Sequence, residues 1–108
     1  MAGPLGEFEQ LVLLAILQLG PEAHAARLRD RIEEVADRRV TRGALYATLD
    51  RLVGKGFAAW DVEDTTPERG GIPRRRFMVT DPGLDALRRS YAALRTLAHG
   101  LEDVLGPA

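Results

Sequence analysis

Apolar side chains recur at helical spacing in four stretches of the chain, and a fifth region alternates in the manner of strands. Residues 5–19 place Leu5, Phe8, Leu11, Val12, Ala15, Ile16 and Leu19 three or four apart, with Leu13, Leu14 and Leu17 filling the other side. A helix apolar nearly all round needs more cover than one small domain supplies, so part of its surface is expected to meet a second subunit. Gly20-Pro21 ends it. A second helix is predicted from about residue 22 or 24 to Ala36, with Ala25, Leu28, Ile32 and Val35 inward and most of its charges outward. A third starts after Thr41, a good N-cap, and runs to Gly54 or Lys55.

In that third helix Leu45, Leu49, Leu52 and Val53 share one face, and Gly43, Ala47, Asp50, Arg51 and Gly54 share the opposite one. Small side chains at the centre with polar ones around them suit a helix that sinks into a major groove. Arg42 sits in the first turn, where the helix dipole disfavours a cation, so helix stability does not account for it. Tyr46 lies on the flank. Past Gly56, residues 57–62 and 74–79 read as two strands of a hairpin with a polar tip. Phe57, Ala59, Phe77 and Val79 are expected on the core side, and Trp60 and Met78 on the other. Gly70-Gly71 leads into a strand and no GKS or GKT follows, so these are turn glycines and not a phosphate loop.

The last helix opens at Thr80-Asp81-Pro82. Leu84, Leu87, Tyr91, Leu94, Ala98, Leu101 and Leu105 then alternate three and four apart over three heptads, the spacing of a coiled-coil seam. The alternative is an amphipathic helix packed on its own domain, which usually has a wider stripe. The predicted fold class is mainly α with a two-stranded β hairpin: a winged helix-turn-helix over residues 1–80 and a dimerisation helix over 81–108, joined in one unit.

Composition narrows the chemistry. A chain of 108 residues, 45% hydrophobic and 29% charged, is one ordinary globular domain. It has no cysteine, hence no disulfide framework, thiol nucleophile or thiolate metal site. No apolar run approaches the roughly 20 residues of a membrane span and the start lacks an export signal, so a cytoplasmic protein is expected. His24 and His99 fall in different elements, no metal-ligand spacing exists, and Ser90 has no candidate base nearby, so neither an enzyme nor a cofactor is expected.

Net charge is -1, but it is unevenly placed. Between Arg38 and Lys55 five basic residues face one acid, between Arg69 and Arg76 four face none, and the remainder is strongly acidic. Two basic segments on one face could meet a phosphate backbone; the alternative is two solvated loops. The candidate contacts to double-stranded DNA are Arg39, Thr41, Arg42, Gly43, Tyr46, Ala47, Arg51 and Lys55 around the third helix, and Arg69, Gly70, Gly71, Arg74 and Arg75 on the wing. The competing reading is a winged-helix protein-interaction module, against which the arginine-rich wing speaks. The homodimer interface is expected to use Phe8, Leu11, Leu84, Leu87, Tyr91, Leu94, Ala98 and Leu101. Phe8 and Trp60 could line a cavity between subunits for a small aromatic effector; alternatively, Trp60 is a partly exposed strand residue.

The run Gly43-Ala44-Leu45-Tyr46-Ala47-Thr48-Leu49-Asp50-Arg51-Leu52 followed by Gly56, and the run Gly70-Gly71-Ile72-Pro73-Arg74-Arg75-Arg76-Phe77-Met78-Val79-Thr80 leading to Gly83, resemble the PadR family of bacterial transcriptional regulators. The likeness covers about residues 5–91. Where the family usually opens its second helix with Gly-Tyr, this chain reads His24-Ala25-Ala26. The single short final helix is similar to the family's compact subgroup, some of whose members bind flat aromatic ligands in the dimer cavity. The resemblance implies a repressor acting as a homodimer on a palindromic operator.

Overall fold

Helix α1 (Glu7–Leu19) forms the centre of the body. A computed structural model describes residues 5–63, 70 and 73–106. Gly6 caps α1, its amide donating to Glu9 Oε1 at 2.8 Å, and Val12, Leu13, Ala15 and Ile16 are buried. A short 3-10 turn (Gly20–Glu22) follows, then α2 (Ala25–Ala36) and α3 (Arg42–Gly54). Thr41 caps α3 as expected, its Oγ1 accepting the Ala44 amide at 3.1 Å. The turn between α2 and α3 is gripped from α2 at both backbone atoms of Val40. Arg29 Nε donates to its carbonyl at 2.7 Å, and its amide donates to Glu33 Oε2 at 2.8 Å. Val40 itself is buried, so the turn is pinned to the core and the angle between the two helices is fixed.

The hairpin consists of β1 (Ala58–Glu63) and β2 (Arg74–Val79), antiparallel. Its parity differs from the sequence reading. Phe57 and Ala58 are both buried, because Gly56 at φ 80° keeps Phe57 in the turn and pleating starts only at Ala58. The pairs Ala58 with Val79, Trp60 with Phe77 and Val62 with Arg75 therefore share one face. Ala59, expected toward the core, joins Asp61 and Met78 on the other, and Trp60 lies on Phe77's side and not on Met78's. The Phe77 amide, turned away from β1, donates to the Ala23 carbonyl at 2.9 Å and ties the wing base to the start of α2.

Helix α4 (Asp81–Ala98) begins where expected, with Thr80 Oγ1 accepting the Gly83 amide at 3.1 Å. The same hydroxyl donates to the Gly56 carbonyl at 2.6 Å, so one side chain joins the α3–β1 turn to the new helix. Gly83 is necessary there: a Cβ would sit 2.0 Å from the Phe57 carbonyl oxygen. Gly83, Ala86 and Leu87 are buried against the body. Beyond them α4 leaves it, and the radius of gyration is 15.5 Å against about 13 Å for a compact chain of this length.

Three further expectations fail. Val35 of α2 is 62% exposed. Leu87, assigned to the seam, is 5% exposed and belongs to the chain's own core. The heptad spacing does not continue as one helix either. Gly100 adopts φ 85° after Ala98, and α5 (Glu102–Leu105) is a separate short helix. Exposed apolar side chains instead gather on α1 and α2, at Leu14, Leu17 and Val35, and on the far part of α4, at Tyr91, Leu94 and Leu97.

Candidate nucleic-acid interface

The first turns of α2 and α3 and the β1–β2 wing enclose a cleft of about 550 Å³. Its lining includes His24, Arg27, Arg42, Tyr46, Trp60, Arg74 and Arg75. Gly43, Ala44 and Ala47 continue the exposed surface of α3 from there, so the helix offers a face with almost no side-chain bulk. Arg39 is exposed in the turn before it. Arg42 and Tyr46 stack one turn apart, guanidinium to ring centroid 5.5 Å. That contact accounts for a cation in the first turn of α3.

The three consecutive wing arginines have different surroundings. Arg74 reaches across the ribbon to Glu63 at 2.7 Å, and Arg76 forms a two-pronged pair with Asp61 at 3.2 and 3.0 Å. Cross-strand pairing thus gives two of the three a structural occupation, which weakens the arginine run as an argument against an interaction module. Arg75, on the opposite face, packs over Trp60 at 4.9 Å and over Tyr46 at 5.9 Å. Arg69 and Gly71 lie outside the described residues, and Gly70 adopts φ 66°.

His24, which precedes α2, is 3% exposed. Its Nε2 stands 2.8 Å from Glu63 Oε2 without hydrogen-bond alignment, and among the described residues Nδ1 has no hydrogen-bond partner. The Arg74 hydrogen bond, opposed by desolvation and helped by the Arg74 charge and by His24 alongside, holds the Glu63 carboxyl below its ordinary 4.5.

At the other end of α3, two expected contact residues are engaged elsewhere. Lys55 Nζ lies 2.8 Å and Arg51 Nε 3.4 Å from Glu9 Oε2. Glu9 is 6% exposed, and burial alone would push its pKa up. The Lys55 and Gly6 hydrogen bonds, with the charges of Lys55 and Arg51, outweigh that and leave it below 4.5. Lys55 is therefore a half-buried strut between α1 and α3, whereas Arg51 keeps 54% of its side chain exposed. No sequence signal pointed to Glu9, because it meets Lys55 across 46 positions. Phe8 lies beneath Arg38, 4.9 Å from ring to guanidinium, while Trp60 belongs to the wing cleft, so the two residues assigned to one effector cavity have separate surroundings within the chain.

The Transcriptional regulator PadR-like family model matches residues 13–89, most of the chain. The chain belongs to the PadR-like family. That family consists of transcriptional regulators, which are not enzymes. Solved structures share the fold of this PadR-like chain. A PadR-like regulator from Bacillus cereus superposes with a TM-score of 0.73 at 19% identity over 94% of this chain and 93% of that one. A PadR family regulator from Eggerthella lenta gives 0.66 at 27% identity over 94% and 88%. One from Clostridium difficile gives 0.68 at 18% identity over 92% and 99%. No curated protein matches the chain significantly. Among the described residues, no helix is long and apolar enough to cross a membrane, and no cluster of three or more His, Asp or Glu could hold a metal ion.

Proposed function

We propose that the chain is a sequence-specific DNA-binding regulator, a repressor that grips a palindromic operator as a homodimer. The observation that carries this reading is the cleft in which Arg27, Arg42, Arg74 and Arg75 converge from α2, α3 and the wing. In this arrangement α3 enters the major groove with Arg42, Gly43, Tyr46 and Ala47 foremost, and Arg39 and Thr41 approach the backbone at its start. Arg51 follows further along the helix, and Lys55 supports it through Glu9. The wing, with Arg69, Gly70, Gly71, Arg74 and Arg75, follows the adjoining backbone or minor groove.

Dimerisation is supported by apolar surface that one chain leaves uncovered. A groove of about 510 Å³ between α1 and α2, lined by Leu11, Leu14, Leu17, Ile32 and Val35, and the Tyr91, Leu94 and Leu97 stripe of α4 suit a partner's copies of each other. Two recognition helices held about one DNA turn apart then read two half-sites together.

The test is a salt titration of duplex binding. If each protomer neutralises about three to five phosphates, log affinity falls against log salt with a slope of roughly -5 to -9 for the dimer. A flat response, or no duplex recovered from a randomised library, overturns the reading in favour of a protein-interaction module.

A further inference from the structure

We infer that Trp60 is a positioning residue for DNA binding: it acts through Arg75, which it and Tyr46 hold as a preset phosphate-facing group joining the wing to the recognition helix. This inference rests on the reading just proposed. The four side chains form a ladder. Arg42 lies over Tyr46 at 5.5 Å, Arg75 over Tyr46 at 5.9 Å and Arg75 over Trp60 at 4.9 Å. It crosses from the first turn of α3 to the wing strand, and the hairpin register makes it possible. Trp60 faces the same side as Phe77, and Arg75 is two residues further along that side.

Stacking of this kind uses the flat face of a guanidinium and leaves the N–H donors around its edge available. An ion pair does the reverse, because a carboxylate occupies the donors themselves. Arg74 and Arg76 are in the second condition, on Glu63 and Asp61. Arg75, among the described residues, has rings and no carboxylate. It therefore reaches a phosphate without first releasing an acid, and with less side-chain freedom to lose than a solvated arginine. The wing is tethered separately, along β2 by the Phe77 amide on the Ala23 carbonyl and toward its tip by His24 beside Glu63. The ladder adds the link that reaches the first turn of α3, so wing and helix meet the duplex in one relative orientation.

The experiment combines a double-mutant cycle with a spectroscopic reading. Trp60 is the chain's single tryptophan, so its emission in the free protein reports whether Arg75 lies over it; Arg75→Ala should shift that emission. Affinity is measured for a labelled duplex that the unaltered protein selects from a randomised library. Trp60→Leu removes no charge, yet should lower affinity about fivefold, and Trp60→Phe, which restores a ring, should recover most of it. In an Arg75→Ala background Trp60→Leu should cost less than about twofold more, because its effect passes through Arg75.

Melting curves for each variant ensure that folded protein is compared. Emission unmoved by Arg75→Ala overturns the ladder. A full Trp60→Leu loss persisting without Arg75 overturns its positioning role and makes Trp60 a direct contact. Both outcomes leave the DNA reading standing, whereas a wild-type chain that selects no duplex ends both proposals together.

Discussion

Residues 81–90 and 91–98 belong to one helix and continue one apolar spacing, yet the first part lies in the chain's own core and the second lies outside it. In the first part, Gly83 brings the α4 backbone against the Phe57 turn, and Ala86 and Leu87 join the buried cluster that includes Phe57 and Phe77. In the second, Leu94 is 59% and Leu97 77% exposed. The difference lies in what is beneath the helix. Eighteen residues extend about 27 Å, and the winged body supports only the beginning of that length. Periodicity marks which side of a helix will be apolar; it does not say whose core will cover it.

The largest effect that could break this comparison is expected at Leu87. Leu87→Ala should destabilise the protomer by about 2–5 kcal/mol, the usual cost of emptying a packed leucine site. Urea unfolding measures it, and a change below about 0.5 kcal/mol would return Leu87 to the interface. Gly83→Ala should cost somewhat less, about 1–3 kcal/mol, because the Phe57 carbonyl must move aside for the new methyl group. The same denaturation series checks it, and an unaffected midpoint would mean that the close approach at Phe57 is absent in solution.

The smallest effect on the fold belongs to the distal part. Leu94→Glu combined with Leu97→Glu should change intrinsic protomer stability by no more than about 0.5 kcal/mol, the range of ordinary surface substitutions. Its consequence is in assembly. The solution mass should halve relative to the unaltered protein while far-UV circular dichroism keeps its helical form, and melting should lose any dependence on concentration. A dimer of unchanged mass would show that the exposed stripe is not an interface.

Much of this division could be read in advance. The caps Thr41 and Thr80, the limits of α3 and β2, and the order of helices and hairpin depend on neighbours a few positions away, and local chemistry is what a sequence displays. The facing of Ala59 and Trp60 differs from the expected alternation because nothing in the sequence pattern shows that Gly56 delays the first pleat to Ala58. A slip of one reverses every side chain. That reversal puts Trp60 over Arg75 and joins the wing to α3, so a single parity decides the composition of the candidate site. Among the arginines, the chain spells three alike in a row. Their separation into two ion-paired and one ring-stacked follows only from which carboxylates and rings stand opposite across the ribbon.

The sequence by itself determined the winged-helix order, the caps, the small-residue face of α3 and the surplus of apolar surface, because each arises from spacing within one element. Tertiary structure decided which of the three consecutive wing arginines lies over rings with no carboxylate among the described residues, that Glu9 holds Lys55 and Arg51 to α1, and where α4 passes from its own core into the open. Those outcomes depend on contacts between positions tens of residues apart, and the free energy of such a contact exists only once the chain has brought its partners together.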